Sequence, residues 1–231
     1  MAFLKEFIKL MKSELLHKKG QTTNHSWEID ESKYLCKTEV RKLITFCNNS
    51  KRVGLQNGIF TPLRNWFMVE LGLNTGLRVQ EMADLKGSNL LIDKDRSSIV
   101  LIGKGNKKRA VWISSKFKRT CKLFLNYKAK FGYSVKDEDY LLNNLKGGKI
   151  SKRALQKFFK KIIRETKLPE HYSIHNLRHT YTTFLLKSSN HNYRLAQQQL
   201  GHSSIKTTQT YAGVIETEGR KAIENLYGYE R

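Results

Sequence analysis

The sequence predicts a mainly α-helical domain carrying one small three-stranded antiparallel sheet. Three observations lead there. Apolar residues recur at helical spacing over most of the chain from Tyr34 onward. Three short β-type runs stand together between Asn89 and Ile113. A length of 231 residues with 39% hydrophobic content suffices for one sizeable core.

Over residues 3–16, Phe3, Leu4, Phe7, Ile8, Leu10, Met11 and Leu15 form one apolar stripe on an otherwise basic helix, which packs either on its own domain or on another subunit. Lys18 to Ser32 is polar and reads as a linker. Residues 1–32 are thus expected to be a helix and linker, and 33–231 the main domain. There, Lys37 to Asn48 reads as a helix, and Thr61-Pro62 as the cap and first-turn proline of a second, carrying Trp66, Phe67, Val69 and Leu71. Asn74-Thr75-Gly76 interrupts it, and a short helix continues through Met82 and Leu85. Strands are expected at Asn89 to Asp93, Ser97 to Ile102 and Arg109 to Ile113, the last two joined by a basic turn, Gly103-Lys104-Gly105-Asn106-Lys107-Lys108. Helices follow at about Ser114 to Phe131, Ser151 to Thr166, His175 to Lys187, Tyr193 to Leu200, Ser204 to Tyr211 and Glu216 to Leu226.

Lys and Arg outnumber Asp and Glu by 43 to 20, a formal charge of +23. Such an excess repels itself unless a polyanion is the working partner; nucleic acid is the first expectation and anionic membrane the weaker one. The residues from Met1 to Leu16 interleave Lys5, Glu6, Lys9, Lys12 and Glu14 with apolar positions, so they lack a signal-peptide core, and no other run could span a bilayer. A cytoplasmic location is expected. Cys36, Cys47 and Cys121 are odd in number and lack any CxxC, which predicts reduced packing residues.

Some basic residues sit where solubility does not need them. Arg78 follows a turn and opens a helix, with Glu81 one helical turn away on the same face. His175, Arg178 and His179 share a face at three- and four-residue spacing, His202 follows a helix end, and Tyr211 stands behind Thr207-Thr208-Gln209-Thr210. Two arginines, histidines, a hairpin lysine and a tyrosine suit a phosphodiester: guanidinium forks match phosphate oxygens and stay charged when desolvated, and tyrosine oxygen is a competent nucleophile. No carboxylate cluster suits a two-metal site and no GxxxxGK[ST] suggests ATP, so metal-free phosphoryl transfer without cofactors is expected. His175 and His179 have the spacing of a metal pair, but the intervening residues lack the Glu of HExxH and no third ligand is evident.

Five segments, Thr75 to Glu81, Gly103 to Arg109, His175 to His179, Leu200 to His202 and Thr207 to Tyr211, occur in an order and spacing that resembles the tyrosine recombinases of the phage-integrase and Xer type. The resemblance runs from about Tyr34 to the C-terminus. It implies the catalytic-domain fold of that family and site-specific DNA strand cleavage and rejoining through a 3′-phosphotyrosyl intermediate. It also implies that Arg78 and Arg178 clamp the scissile phosphate, His202 is a third donor to it, and His175 helps manage the nucleophile's proton. Lys104 would protonate the leaving 5′ oxygen and Tyr211 would be the nucleophile. Glu81 and His179 would support these groups, and Lys107, Lys108 and Arg109 would contact DNA. Double-stranded DNA is the implied partner, with two protomers per crossover site and four in the synapse, an accessory DNA-bending or recombinase partner, and nucleoid association.

The chain departs from the family pattern in two places. Asn176 stands where many relatives carry Asp. About thirty residues precede the catalytic domain, where typical relatives have a separate helical core-binding domain; this resembles the short fimbrial phase-switch recombinases, so the clamp around the duplex is not expected to be complete within one chain. Tyr227 and Tyr229 are rival tyrosines but do not follow the Thr-rich segment. Ile215, Ala222, Ile223, Leu226 and Tyr227 form a narrow apolar face that docks either on its own domain or, as the resemblance implies, on a neighbouring protomer. Two other functions share these motifs: a DNA-relaxing type IB topoisomerase, and a non-cutting relative that occupies DNA as an architectural or regulatory protein.

Overall fold

The computed structural model describes residues 31–92, 97–102 and 108–201. The helices expected at 3–16, 204–211 and 216–226, and the tip of the basic hairpin, lie outside the described residues. The described helices are α1 (Lys37–Gln56), α2 (Phe60–Thr75), α3 (Val79–Asp84), α4 (Ser115–Lys130), α5 (Lys152–Glu165), α6 (Ile174–Ser188) and α7 (Tyr193–Leu200). Between α3 and α4 lie β1 (Leu90–Ile92), β2 (Ser97–Ile102) and β3 (Lys108–Trp112). No helix among the described residues is long and apolar enough to cross a membrane.

Helix α2 is the axis of the fold. Phe60, Leu63, Trp66, Phe67, Met68, Val69 and Leu71 are buried around its whole circumference, the mark of a helix enclosed by others. The Phe67 ring stacks on Phe124 of α4 with centroids 3.9 Å apart and planes 2° from parallel. Gly72 lets α6 approach, since a Cβ there would lie 2.6 Å from Leu177 Cδ1. Helices α4 and α5 start where a serine can cap them: Ser114 Oγ accepts from Phe117 N at 3.2 Å, and Ser151 Oγ from Ala154 N at 3.1 Å. The buried residues of α5, Leu155, Phe159, Ile162 and Ile163, follow the helical period.

The sheet has the order β1-β2-β3, antiparallel throughout, with Leu90 opposite Ile99 and Val111 opposite Ile99 on its other side. Ile99, Leu101 and Val111 point into the core, and Ile102 and Trp112 on the other face are exposed. This is the two-residue alternation of a half-buried sheet.

Three expectations need correction. Helix α1 continues past Asn48 to Gln56: Lys51 lays its ammonium 4.0 Å from the Trp66 ring centroid, and the turn after the helix closes towards α2 through Ile59 N donating to Gly54 O at 2.8 Å. Helix α2 is capped at Ile59 rather than Thr61, and Pro62 is its third residue, still inside the first turn where a missing N–H costs nothing. Cys36 is exposed, not packed; it stands before α1, where its backbone N–H donates to Glu39 Oε2 at 2.8 Å. Cys47 and Cys121 are buried as expected, and burial pushes both thiols up to about 12.

Candidate active site

Arg78, Glu81, His175, Arg178 and His179, all singled out above, converge where α3, the start of α6 and the end of α7 meet. The convergence begins with Gly76, which ends α2 in the left-handed region at φ 61°, its N–H donating to Gly72 O at 3.1 Å. The Tyr181 ring presses against this glycine where a Cβ would stand, so only glycine both turns the chain and admits the ring. Two residues on, Arg78 has extended backbone and precedes α3, with its own N–H donating to Glu81 Oε2 at 2.7 Å. Its guanidinium returns to the same carboxylate, Nη1 to Oε1 at 3.2 Å, while 45% of its side-chain surface stays exposed. The sequence spacing that places Glu81 beneath Arg78 therefore yields a held but accessible cation.

Arg178 is held differently. It lies on α6 and is only 8% exposed. Nη1 donates to Gly76 O at 2.6 Å and Nη2 to Leu200 O at 2.9 Å. These bonds join the turn before Arg78 to the last turn of α7, and they fix the plane of a rigid fork against two separate backbones. Gly201, at φ 62°, ends α7 immediately before His202.

Helix α6 starts with a reciprocal cap. Asn176 Oδ1 accepts from the N–H and the hydroxyl of Ser173, at 2.7 and 2.9 Å, and its Nδ2 donates to Lys33 O at 2.9 Å. That last bond takes a donor, which Asn has and an ionised Asp lacks. His175 is exposed on the first turn; desolvation and then the charges of Arg178, Lys152 and Arg78 lower its pKa. One imidazole thus feels both arginines and a lysine. His179, one turn deeper and half-buried, is lowered to about 4, first by burial and then by His175, Arg178 and Lys33. It is a neutral imidazole at pH 7. Among the described residues no group of three or more His, Cys, Asp or Glu side chains is placed to hold a metal.

Lys104, Lys107, His202 and Tyr211 lie outside the described residues. Lys108 is exposed at the start of β3. Arg109 is turned inward instead, with Nη1 2.8 Å from Glu81 Oε1 and Nη2 3.0 Å from Oε2. Sequence reasoning also missed Gln199 and Tyr181. Buried Gln199 Oε1 accepts from Trp112 N at 3.1 Å and lies 3.4 Å from Tyr181 Oη, docking α7 on the edge of β3. Burial pushes the Tyr181 phenol up to about 12, unsuited to a nucleophile at neutral pH. Nothing in the local sequence marks a glutamine that serves a strand 87 residues away. Taken chemically, the described part of the site is a wall of fixed positive charge around a turn with one carboxylate in it, suited to an anion whose charge grows during reaction.

Comparison with known proteins points the same way. Residues 33–218 match the model of the phage integrase family. The chain is 33% identical over 172 residues to the tyrosine recombinase XerC of Caldanaerobacter subterraneus subsp. tengcongensis, covering 73% of this chain and 47% of that protein. It is 35% identical over 151 residues to the XerC of Vibrio cholerae, covering 64% and 46%. The chain thus spans about half the length of the curated relatives it matches. Among solved structures, the XerH site-specific recombinase bound to its difH substrate in a pre-cleavage complex superposes with a TM-score of 0.67 at 25% identity, over 84% of this chain and 53% of that one. The XerA recombinase, at 21% identity and a TM-score of 0.65 over 85% and 64%, shares the fold.

Proposed function

This chain belongs to the phage integrase family, and from that premise we propose that it is a site-specific recombinase that cleaves and rejoins double-stranded DNA through a covalent phosphotyrosine. The observation that supports this reading most is the convergence of Arg78 with His175 and Arg178, from segments nearly a hundred positions apart, around the turn that Gly76 makes. A non-cutting DNA-binding relative would need positive charge, but not a guanidinium plane tied to two backbone turns.

In the proposed reaction the Tyr211 oxygen attacks the scissile phosphorus, the P–O5′ bond breaks, and a 3′-phosphotyrosyl ester and a 5′-hydroxyl result. Arg78, Arg178 and His202 stabilise the charge on the non-bridging oxygens. His175 manages the proton leaving Tyr211, and Lys104 delivers one to the departing O5′. Glu81 holds Arg78, and His179 supports His175 from beneath as a neutral ring. Attack by another 5′-hydroxyl reverses the steps and rejoins strands, so the ester carries the bond energy without ATP. Lys107 and Lys108 on the hairpin would contact the duplex. Two protomers on each crossover site and four in the synapse, an accessory partner, and a cytoplasmic, nucleoid-associated location complete the proposal, with residues 1–32 a docking helix and linker ahead of the catalytic domain.

DNA trapped covalently by the native chain in cells is recovered and its ends sequenced; a nicked suicide duplex built on that site is then the assay. Tyr211→Phe is expected to bind the duplex as the native chain does and to give no covalent complex. Trapping by Tyr211→Phe would move the nucleophile elsewhere, and failure of the native chain to trap any DNA would favour the non-cutting relative.

A further inference from the structure

Arg109 closes the basic hairpin in the sequence and reads there as a DNA contact, but its geometry gives it other work. Resting on the reading above, we infer that Arg109 is a positioning residue for Arg78, tying the β2–β3 hairpin and the Gly201 turn to the exposed guanidinium.

The Glu81 carboxylate has about four lone-pair positions, and four donors fill them. Oε1 accepts from Arg78 Nη1 at 3.2 Å and Arg109 Nη1 at 2.8 Å; Oε2 accepts from the Arg78 backbone N–H at 2.7 Å and Arg109 Nη2 at 3.0 Å. Arg109 takes the fork-to-fork geometry, the stronger arrangement, and leaves Arg78 a single, longer bond. Without Arg109 the carboxylate is free to take the Arg78 fork bidentately and draw it off the open face. With Arg109, Arg78 is steadied but not consumed.

The same side chain reaches the other half of the site. A Cβ on Gly201 would stand 2.5 Å from Arg109 Cδ and 2.7 Å from its Nε and Nη1, so the guanidinium lies directly over the residue preceding His202. On the sheet, Arg109 pairs with Leu101, and the next rung, Ile102 with Lys108, is the last before the turn that bears Lys104. Arg109 shares the inward face of β3 with buried Val111, so its charge is spent on Glu81 and not presented to a duplex. The other charged groups around Glu81 are Arg78 just before α3, Asp84 on α3 and Lys86 just after it, and Asp84 is itself engaged by Gln80 and Lys149.

The coupling is read first without DNA. Burial works to raise the Glu81 pKa and the Arg109 bonds are the largest effect lowering it; in Arg109→Gln the Glu81 carboxyl should therefore titrate at higher pH by 13C NMR, and the Arg78 side-chain NH signal should shift. If neither moves, the inference is wrong, whatever the chain does to DNA. On the suicide duplex, single-turnover cleavage at saturating DNA should fall between about 10- and 100-fold, with unchanged affinity and salt slope, and its acid limb should move to higher pH. Arg109→Lys, which keeps the charge and one donor, should recover part of the rate and guards against misfolding. A native saturating rate combined with weaker, less salt-dependent binding, the slope falling by about one, would make Arg109 a DNA contact and overturn the inference. Failure of the native chain to attach to DNA would instead overturn the proposed reaction and Arg109's service to it, with the Glu81 titration still deciding the coupling.

Discussion

The Thr75–Glu81 turn and the first two turns of α6 each contribute one arginine to the same place, and they hold it by opposite means. Arg78 rests on the half-buried Glu81 carboxylate, with nearly half its own side chain in water. Arg178 is buried and rests on two backbone carbonyls from two different elements. A charge held by Glu81 keeps its freedom to adjust to an incoming anion. A charge held by Gly76 O and Leu200 O is also a strut: the elements it joins lose their register if it goes. One pair of residues with one proposed chemical role thus differs in what else depends on it.

Removing the strut should give the largest effect. Arg178→Ala leaves two buried acceptors without their donor, and should cost about 2–5 kcal/mol of folding stability while abolishing covalent trapping. Urea unfolding monitored by circular dichroism measures the first and the suicide duplex the second. Arg78→Ala should do the reverse, slowing cleavage by about 10²- to 10³-fold for less than about 1 kcal/mol of stability. Equal stability losses in the two variants would break the contrast between strut and held charge.

His179 sharpens it in pH. Its pKa is about 4 in the folded chain against 6.5 for the free side chain, so the fold favours the neutral ring. Above pH 6.5 both states are neutral and the group contributes no slope. As pH falls from 6.5 towards 4 the unfolded chain takes up the proton first, and native stability drops, by about 1–2 kcal/mol once partial exposure is allowed for. His179→Gln should flatten that part of the stability curve. His175, exposed and shifted in the same direction by burial and by Arg178, Lys152 and Arg78, should titrate below the usual histidine range in the native chain and move back up in Arg78→Ala, which NMR would show.

How much of this could be read in advance follows the range of the interactions. The sheet, the serine caps at Ser114 and Ser151, the span of α7 and the Arg78–Glu81 pair all rest on neighbours within a few residues, and the sequence spells them out. So do the three-residue spacings that put His175 and Arg178 on one face. The extension of α1 to Gln56 depends on Lys51 meeting Trp66, and the inward turn of Arg109 depends on Glu81 of α3, 28 residues away. Gln199 and Tyr181 were invisible for the same reason: their partners come from β3 and from the Gly76 turn. A basic residue beside two lysines reads as one more positive charge until the fold supplies its carboxylate.

The smallest expected effect concerns the departure at Asn176, and it tests whether the start of α6 is as tightly tied as Arg178 requires. In Asn176→Asp the carboxylate keeps both bonds from Ser173 and gains from the positive end of α6, a contribution of about 0.3–1 kcal/mol. Against that, it loses the bond to Lys33 O and sets a carboxylate oxygen against a carbonyl oxygen 2.9 Å away in a buried position, at a cost of about 1–3 kcal/mol. The loss exceeds the gain, so the variant should be less stable by about 1 kcal/mol, with the loss shrinking at acid pH, where the protonated carboxyl group can donate to Lys33 O again. The added negative charge near His175 and His179 should also raise the pKa of both imidazoles, measurable in the same NMR titration. Cleavage should change little, because Arg178 sits half a turn further along the helix with its own anchors. A variant that keeps full stability would mean that Lys33 yields easily and that the chain ahead of α1 adds nothing to the rigidity of the site; one that loses cleavage would mean that Arg178 depends on the cap as well as on its two carbonyls.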